Sequence, residues 1–105
     1  MSAELKDIKN LISTPEKWCK GSFARNTSNI PVGENSESAC KWCLVGALFK
    51  ICGHSKNSAE IHGIILNEIK DLEHVTVSRF NDHVDTTHET VMNLLDAFIV
   101  KSPSN

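Results

Sequence analysis

Apolar side chains recur at helical spacing in four stretches of the chain. In each stretch they return every three or four positions, which is the period of one face of an α-helix. The four stripes are Leu5, Ile8, Leu11 and Ile12; Cys40, Cys43, Leu44, Ala47, Leu48 and Ile51; Ile61, Ile64, Ile65, Ile69 and Leu72; and Val91, Leu94, Leu95, Phe98 and Ile99. Because such a stripe gives a helix one face to bury, each stretch predicts an amphipathic helix.

A further helix is indicated between the first two stripes. Thr14 is a favourable N-cap residue, and Pro15 suits the first helical position. This second helix would carry Trp18 and Phe23. Gly21 lies inside it and costs about 1 kcal/mol relative to alanine there, so a close packing contact is expected at that position.

Capping residues set the ends of the other predicted helices. The helix with the cysteine stripe begins near Ser36 or Ser38 and stops at Gly53, since glycine tolerates the left-handed conformation that ends helices. Ser58 is the expected cap of the fourth helix. The stretch Thr86–Glu89 has the spacing of a capping box and would start the last helix.

The stretches between these helices are polar. Asn26–Ser36 is rich in turn formers and predicts a long loop, which is either functional or a mobile connector. Glu73–Ser78 is expected to be a connector with an extended stretch at residues 75–77. Arg79–His83 is irregular or a single turn, and residues 1–4 and 102–105 are expected to fray. The expected fold is therefore a small all-α domain over residues 1–105, a bundle of five helices with one long polar loop.

Composition limits the classes of function. The chain has 105 residues, a net charge of −2 and 11 scattered basic residues, which argues against a nucleic-acid-binding surface. It has no apolar run long enough to span a membrane and no secretory signal pattern at its start. A cytoplasmic location is therefore expected, and four reduced cysteines with it.

Cys40 and Cys43 have the spacing of half a zinc site. A complete site needs a second close pair, and both cysteines lie in an apolar stripe, so no metal and no cofactor are expected. A redox pair of this kind normally follows a β-strand, which the pattern does not predict here. Packing of the two thiols in the core is the favoured interpretation.

Nucleophilic catalysis is the sharper alternative. Cys43 could act as the nucleophile, with His88 or His83 as the base and Asp82 or Asn81 orienting that base. These residue types occur together by chance in many chains of this size. The sequence therefore leaves open whether Cys43 simply packs, whether the histidine is exposed, and whether Asn81 and Asp82 form a turn.

Three motifs in this order resemble those of a family of small bacterial and phage proteins classed as a domain of unknown function, number 6197. The motifs are W-x-x-G, W-C-x-x-G-A-L, and N-D followed by T-x-x-x-V. The positions that carry the resemblance are Trp18, Gly21, Arg25, Cys43, Gly46, Ala47, Asn81, Asp82 and Thr87. The chain departs from the pattern at Phe80, where the family usually has tryptophan, and adds Cys40.

The resemblance implies no activity, but its residues suggest two uses. The small residues suit closely crossing helices. The polar residues either satisfy backbone groups at a buried corner or line a pocket. Trp18, Arg25, Cys43, Asn81 and Asp82 would bound such a pocket, in which Arg25 either pairs with Asp82 or receives an anionic ligand.

The sequence thus predicts a small binding or accessory protein that acts through a protein partner, in the setting of phages or mobile elements that the resemblance suggests. A cysteine-dependent acyl-transfer or hydrolytic enzyme based on Cys43 is the alternative, and a sensor of small anions based on Arg25 is the third. Whether the chain forms a homodimer is left open.

Overall fold

The structure, a computed structural model, describes residues 2–70 and 76–101. It contains five α-helices, one 3₁₀ turn and three short strands in this part of the chain. In chain order these are α1 Ser2–Leu11, the 3₁₀ turn Pro15–Lys17, β1 Ala24–Arg25, β2 Pro31–Val32, β3 Lys41–Trp42, α2 Leu44–Cys52, α3 Lys56–Ile69, α4 Val77–Asp82 and α5 His88–Lys101.

The strands form one small antiparallel sheet in the order β2-β1-β3. Ala24 lies opposite Val32 on one side and Trp42 on the other. A further parallel bridge joins Trp18 to Trp42, so the segment after the 3₁₀ turn runs along the outer side of β3. The sheet therefore ties the long polar loop to the start of α2.

The prediction of an all-α bundle is wrong, because this sheet makes the fold mixed α and β. The predicted second helix is replaced by the 3₁₀ turn, and Trp18 is already extended. Gly21 has a φ of +84°, a left-handed conformation that no helix continues through. The predicted loop contains β2, and β3 occupies the expected first turn of the cysteine helix. Strands of two residues are too short for an alternating pattern to show.

The core lies between the helices, and the predicted stripes supply most of it. The inner face of α1 packs on α2 and α5, and α2 also packs on α3 and α4. The fully buried aliphatic residues are Leu5, Ile8, Ile12, Leu44, Leu48, Ile61, Ile65, Ile69, Val77, Val91 and Leu95. Most residues of the four stripes thus contribute to the core, whereas Ile64 is exposed, Cys40 lies before β3 rather than in a helix, and Leu72 lies outside the described residues.

The predicted starts of the cysteine helix and of the fourth helix are wrong. The cysteine helix begins only at Leu44, with Cys43 as its N-cap. The cap of α3 is Ser55, which forms a capping box with Ser58, the residue expected to be the cap. The last helix, α5, begins at His88, next to its predicted start, but the reciprocal bonds there join Thr87 and Thr90 rather than the predicted pair Thr86 and Glu89.

The segment expected to be irregular forms a short helix, α4, capped by the Thr76 hydroxyl, which accepts from Arg79 N. The helix begins at Val77, so the expected extended stretch at residues 75–77 is wrong at that position. Part of the predicted connector lies outside the described residues. The predicted frayed tail at 102–105 lies wholly outside them. Within residues 2–70 and 76–101, no helix is both long and apolar enough to cross a membrane.

Candidate functional site

Asn81 is the centre of a buried polar corner. Its side chain is 0% exposed at the end of α4. Its Oδ1 accepts from Trp18 Nε1 at 2.7 Å and from Leu44 N at 3.0 Å, and its Nδ2 donates to Cys19 O at 3.0 Å. One carboxamide thus joins three segments that are far apart in the chain. Because its oxygen and its nitrogen are both engaged, it offers little to a ligand.

Asp82 extends this corner to the segment after Cys19. Its Oδ1 accepts from Gly21 N and from Asn81 Nδ2, both at 3.0 Å. Lys20 Nζ donates to the carbonyl of His83 at 2.7 Å. Two hydrogen bonds therefore join the end of α4 to the stretch around Gly21, one to the Asp82 side chain and one to the His83 carbonyl. No ion pair joins Asp82 to Arg25 among the described residues.

Arg25 uses its guanidinium to hold backbone carbonyls. Nε and one terminal nitrogen donate to Lys20 O at 3.2 and 3.0 Å, and the other terminal nitrogen donates to Asn29 O at 2.9 Å. It lies against Gly21, where an added Cβ would come within 3.0 Å of the guanidinium. This arrangement braces the β1–β2 hairpin and leaves the guanidinium less available to an anionic ligand.

Cys43 is a buried helix cap. Its Sγ accepts from Gly46 N at 3.2 Å, and its own N–H donates to Phe23 O at 3.1 Å. Burial raises the pKa of the Cys43 thiol to about 11, although the Gly46 N–H opposes this shift. A thiol with this pKa is almost entirely protonated near neutral pH, and the thiolate is the nucleophilic form. The burial and the raised pKa weigh against the nucleophile hypothesis.

The two histidines of the hypothesis contact other groups. His88 Nε2 is 2.7 Å from Ile12 O, and its ring lies 6.1 Å from the Trp18 ring. The His83 ring accepts from Asp85 N through Nδ1. The structure therefore gathers Trp18, Asn81 and Asp82 in one corner and gives the imidazole of His88 a backbone partner of its own.

Gly46 allows the chain before β1 to cross α2 at close range. A Cβ at this position would lie 2.0 Å from the carbonyl oxygen of Phe23, a distance that real atoms do not tolerate. The same carbonyl accepts from Cys43 N. Two residues on which the family resemblance rests thus hold the backbone of Phe23 against the first turn of α2.

The side chain of Phe23 points away from this contact and is 44% exposed. It meets Phe49 edge to face, with ring centroids 5.9 Å apart. Phe49 in turn stacks on His54, with centroids 4.3 Å apart and ring planes at 29°. We call Phe23, Phe49 and His54 the aromatic row. The sequence did not indicate this row, because it predicted a helix that carries Phe23 where the structure has an irregular segment.

A cleft of about 550 Å³ opens between α1, the 3₁₀ turn, β3 and α2. Its apolar lining residues are Leu11, Cys40, Trp42 and Ile51, and its polar ones are Asp7, Asn10 and Lys17. No sequence signal marks the cleft, because its residues come from four separate elements. Across the described ranges, no group of three or more His, Cys, Asp and Glu side chains is placed to hold a metal ion.

Comparison with known proteins places the chain in one family. A model described as a family of unknown function (DUF6197) matches residues 1–100, so the expected resemblance is confirmed over nearly the whole chain. No curated protein and no solved structure matches it. The chain belongs to this family of unknown function, DUF6197.

Proposed function

We propose that the protein is a non-catalytic binding protein that docks a protein partner through the aromatic row. The observation that carries the proposal is the exposure of Phe23, which is 44% exposed although its backbone is held against the first turn of α2. Rigid aromatic side chains with large apolar area are the residue type that dominates protein–protein interfaces.

The buried corner supports the same function. Asn81, Asp82 and Arg25 use their polar atoms on backbone and neighbouring side chains, and no buried side-chain nitrogen or oxygen in the described part lacks a partner. Since these groups are engaged, the corner works as a brace. It fixes the segment between Gly21 and α2, and this segment presents Phe23.

The enzyme and the anion sensor receive less support. Cys43 caps α2 with a pKa of about 11, and Arg25 donates to two carbonyl groups. The association with phages or mobile elements stays a prediction from the family resemblance.

The test compares the immobilised wild-type protein with two serine variants. Phe23→Ser removes the exposed ring of the aromatic row. Ile30→Ser removes an apolar side chain that is more exposed, 56% against 44%, from the β1–β2 loop. Captured proteins are quantified by mass spectrometry, and thermal unfolding checks that both variants fold.

We expect at least one protein to be retained by the wild type and by Ile30→Ser but depleted about thirtyfold on Phe23→Ser, because an interface hot spot contributes about 2 kcal/mol. Sedimentation of the three proteins tells whether that partner is a second copy of the chain. Identical capture and identical sedimentation of all three would contradict the proposal.

A further inference from the structure

The cleft and the aromatic row lie on opposite sides of α2. Phe49 belongs to the row and Ile51 to the cleft. Two positions along an α-helix correspond to about 200° of rotation, so the two side chains project in nearly opposite directions. The cleft is therefore a second surface, and its chemistry is independent of the proposed partner site.

Three elements give the cleft an apolar floor. Leu11 from α1 and Ile51 from α2 are half-buried there, as is the Cys40 thiol. The indole N–H of Trp42 donates to Glu34 O at 2.9 Å, so the polar edge of that ring is already satisfied. The floor therefore offers carbon and sulfur surface to a ligand, and a bulky apolar group is the chemistry that fits it.

The rim carries one charge of each sign. Asp7, Asn10 and Leu11 occupy positions i, i+3 and i+4 of α1, so they form one ridge along the cleft. Lys17 of the 3₁₀ turn contributes a positive charge to the same cleft. Among the described residues neither Asp7 nor Lys17 forms an ion pair, and both side chains are exposed.

The shape of the cleft favours an extended peptide over an enclosed small molecule. Its volume of about 550 Å³ is large enough for an anchoring side chain with its neighbours, but it is broadly open to solvent. Small-molecule sites bury about 70–90% of their ligand, which an open cleft does not achieve. A peptide can leave its backbone in water and insert one side chain.

We propose that this cleft binds a segment of a partner protein that carries a bulky aliphatic or aromatic anchor flanked by one basic and one acidic residue. The anchor lies on the floor formed by Leu11, Trp42 and Ile51. The basic residue faces Asp7 and the acidic residue faces Lys17, so opposite charges set the direction of the segment along the cleft. The Asn10 carboxamide can donate to and accept from its backbone.

The two tryptophans make a direct assay. In a ¹⁵N-labelled sample each indole N–H gives one NMR resonance. Trp42 reports on the cleft, while Trp18 lies in the corner with Asn81 and serves as the internal control. The probes are the blocked peptides acetyl-Lys-Leu-Glu-amide and acetyl-Glu-Leu-Lys-amide, titrated to about 5 mM because contacts of this size give millimolar affinity.

One of the two peptide orders is expected to shift the Trp42 resonance in a saturable way and to leave the Trp18 resonance in place. Replacing the peptide's leucine by alanine should weaken binding about tenfold, because most of the buried apolar surface is lost. Asp7→Asn and Lys17→Gln should each weaken the preferred order about threefold. The matched control Lys50→Gln, an exposed lysine of α2 outside the cleft, should leave binding unchanged.

Several outcomes would overturn the proposal. Neither order shifting the Trp42 resonance would exclude the peptide class. Equal shifts at both tryptophans would show non-specific contact, and equal effects of Lys17→Gln and Lys50→Gln would exclude the charge pairing. The three protein variants replace exposed side chains, so we expect the fold to be retained. None of these outcomes bears on the aromatic row.

Discussion

Replacing Asn81 by alanine should destabilise the protein far more than its small size suggests. The side chain is fully buried and joins Trp18, Leu44 and the carbonyl of Cys19. Alanine leaves the Leu44 N–H and the Cys19 carbonyl inside the protein without a partner. The Trp18 indole is half-buried, so water can replace its lost bond.

The size of the effect follows from these three groups. A buried backbone donor or acceptor left without a partner costs about 1–3 kcal/mol, and the more accessible indole costs less. The sum is about 4 kcal/mol. Since small domains are stable by only about 5–15 kcal/mol, the variant should lie close to unfolding at room temperature.

Urea unfolding followed by tryptophan fluorescence measures this loss. With a slope of about 1.5 kcal/mol per molar urea, the midpoint should fall by about 2–3 M. Asn93→Ala is the matched control, because Asn93 is exposed on α5, and it should change stability by about 0.5 kcal/mol or less. Trp18→Phe removes one bond only and should cost about 1 kcal/mol, which keeps the test readable if Asn81→Ala does not fold.

Asn81→Leu separates hydrogen bonding from packing. Leucine fills nearly the same space but makes no hydrogen bond, so it should be at least as destabilising as alanine. If Asn81→Leu restored wild-type stability, or if Asn81→Ala behaved like Asn93→Ala, the corner would be a packing contact and the reasoning from its hydrogen bonds would be refuted.

Two further predictions concern α2. Gly46→Ala should lower the free energy of unfolding by about 3 kcal/mol or more in the same urea assay, because its Cβ would lie 2.0 Å from Phe23 O. The control Gly63→Ala on α3, whose Cβ would meet nothing within 4 Å, should raise the free energy of unfolding by about 1 kcal/mol. Equal effects of the two substitutions would contradict the close crossing. The pKa of Cys43 is raised to about 11, so its contribution is complete below the unfolded value of 9.0 and is lost as the pH rises toward 11. Between about pH 8 and about pH 10 the free energy of unfolding of the wild type should therefore fall by about 1 kcal/mol more than that of Cys43→Ser, since one pKa unit corresponds to about 1.4 kcal/mol. Parallel pH profiles of the two proteins would show that the thiol is solvated.

Much of the helical core could be predicted because its signal is local. The stripe of Leu5, Ile8 and Ile12 repeats at the helical period within a few positions, and so do the stripes that became α3 and α5. The resemblance to the family was likewise stated from short motifs, and the family match over residues 1–100 agrees with it. Both kinds of information lie within short windows of residues.

The residues of the buried corner could be predicted from the sequence, but their role could not. Asn81 and Asp82 could be singled out as polar residues that a core does not need, and their use as a brace was one of two interpretations. The choice depended on Trp18, Cys19 and Leu44, which approach Asn81 across 37 or more positions of the chain. No pattern of neighbouring residues encodes such a contact.

The strands, the aromatic row and the cleft depended wholly on tertiary structure. β1 and β3 are two residues long and form because Ala24 pairs with Trp42. An alternation of apolar and polar residues therefore could not predict them. Phe23 became an exposed aromatic only because Gly21 turns the chain out of a helix and Gly46 lets it cross α2. Apolar periodicity reports which face of one segment is buried, whereas a cleft or an exposed ring is determined by how separate segments meet, through contacts between residues distant in the chain.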